Sequence, residues 1–308
     1  MDRFADIQAL VAVIEAGTFS AAGERLGVAK SVISRRVSQL EQRLGSRLLH
    51  RTTRRLTLTD AGRNFYQRAV QILADLEDAE QGVTAEVTDL RGALKLAAPL
   101  SFGLAHLSDA LTEFLDTYPA IELNLDLNDR SINLVEEGFD LAVRIGELTD
   151  STLIARRIGT SRTVTCASRA YLERFGEPQH PDDLQHHVGL QYSNMSYRRQ
   201  WQYATPDGRP LHAQPQLRMR ANNGEALACA AAAGIGITTG PTFILARYII
   251  EGKLQRILTD FEQPATGIHA VTPPGRLVPR RVQVFIEFLA SRYGDAPYWD
   301  ETLKVPAE

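Results

Sequence analysis

The sequence has little cysteine, no long apolar run and none of the short signatures of catalysis. Cys166 and Cys229 are its two cysteines in 308 residues. A secreted scaffold held by disulfides needs more of them at regular spacings. Both therefore read as reduced thiols in apolar stretches, most simply as core residues. Neither stands in a basic cluster that would lower a thiol pKa and favour redox chemistry. No stretch reaches the ~18 apolar residues of a membrane span. The start, MDRFADIQALVAVIEAG, carries acids early and lacks a basic segment followed by a cleavage site. No export signal is expected, and the cytoplasm is the default compartment. There is no Gly-x-Ser-x-Gly elbow and no Walker loop. Gly234-Ile235-Gly236 reads as a helix-to-strand turn, and the adjacent His186 and His187 point their rings apart, so no metal site is expected. Neither an enzyme nor a cofactor is indicated.

What the sequence has is a sharp division of charge. Residues 20–63 hold ten Lys/Arg against three acids, and residues 64–90 hold one base, Arg68, against six acids. A basic block followed at once by an acidic one marks separate units, despite an overall charge of only −3. The basic block reads as short helices. Phe4, Ile7, Leu10, Val11 and Ile14 keep helical spacing, and Gly17 ends the run. Ser20 is placed to cap a second helix ending near Gly27. A third runs from about Ser31, with Val32, Ile33, Val37, Leu40 and Leu44 inward and Gly45 closing it. The alternation of Leu56 and Leu58 with Thr57 and Thr59 predicts one strand of a short hairpin. Thr59 then caps a new helix.

Helix, glycine turn and a second helix rich in Ser and Arg form the helix-turn-helix pattern. Lys30, Ser31, Ser34 and Arg35 are the outward side chains that would meet base edges in a major groove. On the hairpin, Arg51, Thr52, Arg54 and Arg55 would hold phosphates. The alternative is a solvated basic surface. In the acidic helix, Phe65, Ala69, Ile72, Leu76, Ala79 and Val83 step by four and three, which is heptad spacing. Ala69, Ile72, Leu76, Ala79 and Val83 are the candidate dimerisation seam; packing against the helix's own unit is the alternative.

From Gly92 the pattern becomes α/β. Strands are predicted at 94–97, along the alternating Ile121–Leu127, at 141–145, and near 164–167, 188–191, 235–239 and 268–271. Helices are predicted from Ser101 to Tyr118 and near 169–175, 224–233, 241–251 and 280–293. Interleaved strands and helices imply a largely parallel sheet. Ligands of such sheets bind beyond the strand ends. Ser101 and Phe102 open a helix after a strand, a natural anion site. Arg144 ends another strand and can pair with a carboxylate. Asn222 and Asn223 open a further helix, and Tyr192 offers an aromatic wall. Capping and local ion pairing are the alternatives at each position.

Three strings carry a family resemblance. They are Phe19 to Val28 (FSAAGERLGV), Val32 to Gly45 (VISRRVSQLEQRLG) and Leu48 to Gly62 (LLHRTTRRLTLTDAG). Together they resemble the winged helix-turn-helix of LysR-type transcriptional regulators. The likeness extends through Gly146–Ser151 (GELTDS) to Gly294–Trp299 (GDAPYW), nearly the whole chain. One departure is Ala29, where the family usually has Ser or Thr as the cap of the recognition helix; Ser31 is the substitute. The resemblance implies a winged helix-turn-helix over 1–62, a linker and dimerisation helix over 63–90, and an effector-binding domain over 91–308. That domain would have two α/β lobes like periplasmic binding proteins, about 91–163 plus 267–295 and about 164–266, joined by two crossover strands. It also implies promoter binding and bending modulated by a small-molecule effector, here read as a small organic anion. The partners implied are double-stranded promoter DNA, the effector, further copies of the chain as a homodimer and dimer of dimers, and RNA polymerase, with no membrane. A solute-binding protein would explain the second half but not the basic first 60 residues. A cytosolic α/β enzyme would need an acid–base or nucleophile set that the sequence does not offer.

Overall fold

The computed structural model describes residues 2–51, 56–84, 90–130, 132–146, 148, 153–194, 200–261, 263–274, 278–301 and 303, the side chains at 51, 67, 71, 74 and 77–84 excepted. The chain divides into two units, Met1–Gly92 with Val135–Gly138, and Ala93–Leu134 with Phe139–Glu308.

In the first unit, α1 (Arg3–Ala16), α2 (Phe19–Arg25) and α3 (Lys30–Leu44) pack on one another. Their core is Leu10, Val13, Ala22, Ile33, Val37, Leu40, Leu48 and Leu49. The caps differ from the sequence reading. Thr18, not Ser20, caps α2, its hydroxyl accepting from the Ala21 amide at 3.1 Å. Lys30, not Ser31, begins α3. Ala29 holds the extended N-cap geometry with no side-chain acceptor, and its carbonyl takes the amides of Val32 and Ile33. Ser31 therefore lies inside the first turn. The buried Asp6 of α1 pairs with Arg43 of α3 at 3.3 Å. Strands β1 (Leu49–Arg51) and β2 (Leu56–Leu58) pair antiparallel, with Leu49 opposite Leu58. Then comes α4 (Asp60–Thr84).

The second unit holds two five-stranded sheets. The first is built from β3 (Arg91–Ala98), β4 (Ala120–Leu127), β5 (Leu141–Ile145), β6 (Ile154–Ser161) and β14 (Thr266–Thr272), in the order β4-β3-β5-β14-β6. The second is built from β7 (Thr163–Ala167), β8 (Val188–Tyr192), β11 (Gln216–Ala221), β12 (Ile237–Pro241) and β13 (Gln255–Ile257), in the order β11-β8-β12-β7-β13. A separate hairpin pairs β9 (Trp201–Ala204) with β10 (Pro210–Ala213). The chain crosses from the first sheet to the second at Arg162 and returns between β13 and β14.

Both sheets are mixed, which corrects the expectation of a largely parallel sheet. β3 and β5 are parallel, as are β11, β8 and β12. β14 runs antiparallel to both β5 and β6 because it re-enters from the other lobe. β7 and β13 are the crossing strands of the second sheet, and β7 runs antiparallel to β12 and to β13.

The helical run after β3 comprises α-helical Leu100–Phe102, a π turn Gly103–Leu107 and α-helical Ser108–Thr117. The π turn carries His106 into a cluster of rings. Its centroid lies 4.5 Å from that of Trp299 and 5.5 Å from that of Tyr298. Its Nε2 lies 2.9 Å from the Phe243 carbonyl, which can only accept, so Nε2 carries the proton. Its Nδ1 then accepts from the Tyr298 hydroxyl at 2.6 Å. At the crossover, buried Arg162 pairs with buried Asp300 at 2.7 Å. The C-terminal segment thus fastens to both lobes near the point where the chain passes between them.

Candidate nucleic-acid interface and effector cleft

The geometry of the first unit sets α3 apart as a two-faced helix. Ile33, Val37 and Leu40 are fully buried. At about 100° per residue the opposite face carries Ser31 and Arg35, with Ser34 at its edge and Lys30 in the first turn. Lys30, Ser31 and Arg35 are exposed and Ser34 half-buried. The turn into α3 is tight at Gly23, where a Cβ would meet the Val28 carbonyl oxygen at 2.7 Å. Any larger residue there would push α2 off the start of α3.

The hairpin is fastened to α3 by Glu41, whose Oε1 accepts from the amides of Leu48 and Leu49 at 2.9 and 3.1 Å. Sequence reading missed this role; a carboxylate on the inner flank of α3, just before the β1 turn, was its signal. On the far side, Thr59 donates its hydroxyl to the Arg47 carbonyl at 2.8 Å and accepts from the Gly62 amide at 2.9 Å. Gly62 sits against Leu48, where a Cβ would lie 2.0 Å from the carbonyl oxygen. The Arg51 side chain and Thr52, Arg54 and Arg55 lie outside the described residues.

Along α4 the seam divides. Ala69 is fully buried within the chain itself, on a helix that packs against α1. Phe65 packs on the first unit's core. The Tyr66 phenol is raised, first by burial and then by Glu15, which takes its hydrogen bond. Beyond them Ile72 is 43% exposed and Leu76 half-buried. The side chains of Ala79 and Val83 are outside the described residues.

In the second unit, residues following the carboxyl ends of strands from both sheets meet. Ser101 follows β3 and is buried; Asn223 follows β11, and its Nδ2 donates to Ser101 Oγ at 3.3 Å. Asn223 Oδ1 also caps the helix Gly224–Ala232 through the Ala226 amide. Arg144, on β5, donates to the Ile132 carbonyl at 2.9 Å. Tyr192 ends β8 opposite Ala221 of β11. Burial, and then the carboxylate of Asp129, raise its phenol above the ordinary value. Asn222 is exposed beside Asn223.

Phe102 departs from its expected place. It is fully buried, with its ring centroid 5.4 Å from those of Phe243 and Tyr293. It belongs to the aromatic core and offers no surface to a ligand. Cys166 is a core residue, and burial pushes its thiol up to about 12. Cys229 is exposed, 3.1 Å from the Tyr248 hydroxyl, because its helix turns that position outward. The core reading therefore fails for the second thiol.

Two residues of this region went unread. Asp129 follows β4; its Oδ1 accepts the Leu100 amide at 3.1 Å, and its carbonyl accepts from Asn194 Nδ2 at 2.7 Å. Asn194 follows β8. Both occupy the position after a strand's carboxyl end, the rule that found Ser101 and Asn223. Applied to every strand, it would have found these too. Among the described residues no group of metal-ligating side chains occurs, and no single helix is long and apolar enough to cross a membrane.

Comparison with known families matches both units. Residues 4–63 match the bacterial regulatory helix-turn-helix protein, lysR family, and residues 88–294 match the LysR substrate binding domain. The chain belongs to the LysR family of transcriptional regulators. An uncharacterized HTH-type transcriptional regulator of Haemophilus influenzae is 39% identical over 282 residues, 92% of this chain and 98% of the relative. Among solved structures, the LysR-type regulator CrgA of Neisseria meningitidis superposes with a TM-score of 0.59 at 34% identity, over 94% of this chain and 99% of that one. The virulence activator AphB of Vibrio cholerae gives 0.58 at 27%, over 93% and 98%. In this LysR-type regulator the helix-turn-helix of the first unit is the DNA-binding part. The two-sheet second unit is the effector-binding part.

Proposed function

We propose that this LysR-type regulator reads its operator with Lys30, Ser31, Ser34 and Arg35. One observation carries the reading: exposed Ser31 and Arg35 lie on the face of α3 turned away from Ile33, Val37 and Leu40, with half-buried Ser34 at its edge and Lys30 exposed at the helix start. Arg35 can donate two hydrogen bonds to guanine, Lys30 reaches the same acceptors, and the serines discriminate less. Arg51, Thr52, Arg54 and Arg55 hold the phosphate backbone and so fix register. Ile72 and Leu76, with Ala79 and Val83, form the dimer seam; Ala69 contributes inside its own chain. Dimers pair into tetramers that span and bend cytoplasmic promoter DNA and act on RNA polymerase there. The protein is a regulator and not an enzyme.

The effector lies across the strand ends of the second unit. A small organic acid takes the Ser101 hydroxyl and the Arg144 guanidinium, and Asn222, Asn223 and Tyr192 close from the other lobe. The effector shifts the balance of dimer arrangements only by its differential affinity for them. The test is selection of operators from a randomised duplex pool. Arg35→Ala is expected to relax preference at one base position, at a cost of about 1–3 kcal/mol there. An unchanged selected motif would remove Arg35 from the reading set.

A further inference from the structure

Several hydrogen-bond donors at the strand ends already serve the protein itself. The Leu100 amide serves Asp129 Oδ1, Asn223 Nδ2 serves Ser101, Asn194 Nδ2 serves the Asp129 carbonyl, and Arg144 donates to Ile132. Asp129 therefore brings a carboxylate to the place where an anionic ligand would sit. Its neighbour Arg130 does not neutralise it, since Arg130 pairs with Asp126 at 3.8 Å. Among the described residues no cation forms an ion pair with Asp129, and no carboxylate forms one with Arg144. Asp129 Oδ1 faces the Leu100 amide, while Oδ2 makes no hydrogen bond among those residues. A plain carboxylate entering here would meet like charge, which costs affinity in a partly desolvated cleft. A ligand with an ammonium group next to its carboxylate meets opposite charge at both ends.

We propose that the effector is a zwitterion of the amino-acid type, its ammonium bound by Asp129 and its carboxylate by Arg144 and Ser101. This rests on the effector cleft proposed above and adds the charge that selects among organic acids. Asp129 is placed by its neighbour Asn128, whose amide donates to the Ala98 carbonyl at 3.0 Å, and the Arg144 guanidinium is held by the Ile132 carbonyl. The Tyr192 phenol lies within electrostatic reach of Asp129, so an ammonium bound by Asp129 would have an aromatic residue close by. Asp129 also caps the helical run that starts at Leu100. The substitution Asp129→Asn keeps an acceptor for that amide while removing the charge, and so separates the two roles.

The experiment is a thermal-shift titration of the full chain with matched series. Each series is an L-amino acid, the 2-hydroxy acid that replaces its amine, and the amine that lacks its carboxylate; acidic, basic, aliphatic and aromatic side chains are all represented. In at least one series the amino acid is expected to stabilise at concentrations about ten- to a hundredfold below either partner, the worth of a charge-assisted hydrogen bond. Asp129→Asn is expected to bring the amino acid and the hydroxy acid to equal strength. A hydroxy acid that stabilises the wild type as well as its amino acid overturns the zwitterion. The cleft reading then survives if Arg144→Met abolishes the shift. Stabilisation untouched by both substitutions places the ligand elsewhere and overturns both. No shift in any series overturns the zwitterion.

Discussion

Asn223 Nδ2 donates to Ser101 Oγ at 3.3 Å, joining residues that follow strands of two different sheets. The same Asn223 caps the helix Gly224–Ala232. Losing an Asn cap costs about 1 kcal/mol, more than a long, half-exposed neutral hydrogen bond returns. Asn223→Ala is therefore expected to lower the melting temperature by about 2–4 °C. Asn223→Ser, which caps but is too short to reach Ser101, is expected to recover most of that loss. Equal melting of the two variants by calorimetry would make the bond to Ser101 the larger contribution.

Gly23 leaves room for the Val28 carbonyl and for nothing more. Gly23→Ala is expected to destabilise the first unit by about 1–3 kcal/mol through overpacking and to weaken DNA binding. Both tryptophans, Trp201 and Trp299, lie in the second unit. Their fluorescence transition should stay in place while the earlier part of the far-UV circular dichroism melt moves down. A matching downward shift of the tryptophan transition would show that the strain is not confined to the helix-turn-helix.

Ile72 is 43% exposed on α4, in the proposed dimer seam. Leu76→Glu would bury a charge without a partner if a second α4 packs there, at a cost of several kcal/mol. Light scattering is expected to show monomers, with loss of tight operator binding. A stable dimer would move the interface off α4.

The helix-turn-helix was legible because local rules decide it: helical spacing, a glycine turn and Leu/Thr alternation each leave a mark within a few residues. The caps at Thr18 and Ala29 each lie two positions before the expected Ser20 and Ser31, since nearby Thr and Ser can both cap and an extended Ala29 does so with no side-chain acceptor at all. In the second unit most strands and helices could be read. The antiparallel course of β14 could not, because it depends on where the chain returns from the second lobe. Phe102 was misassigned because a residue opening a helix at a strand end can turn toward the ligand or toward the core. The rings of Phe243, Tyr293 and Trp299, far away in sequence, decide that. Asp129 was within reach of the strand-end rule, but its contact with the Leu100 amide, 29 residues away, leaves no local mark in the sequence.

His106 is held neutral, donating to Phe243 and accepting from Tyr298. Burial lowers its pKa below the ordinary 6.5, against smaller opposing effects of the Phe243 bond and Asp109. The unfolded chain then binds the proton more readily than the folded one. Stability is fully present above pH 6.5 and is lost as pH falls toward the folded value. Each such group contributes a slope of up to about 1.4 kcal/mol per pH unit. His187 and His269, also lowered chiefly by burial, share the effect. His106→Gln is expected to flatten the fall in melting temperature between pH 6.5 and 5. An unchanged slope would assign the effect to the other two histidines.

Sequence-specific DNA recognition is tested most directly by a fluorescence-anisotropy titration of the full chain. One labelled duplex comes from the region upstream of its own gene, the other is a scrambled duplex of equal length, and the salt concentration is varied. Binding to the upstream duplex is expected to be at least about a thousandfold tighter than to the scrambled one. The logarithm of each affinity should fall linearly with the logarithm of salt, as phosphate contacts by the basic hairpin require. Arg35→Ala should narrow the ratio without changing the slope for the scrambled duplex. Equal affinity for the two duplexes, or no salt-dependent binding to either, would contradict a DNA-reading role for α3.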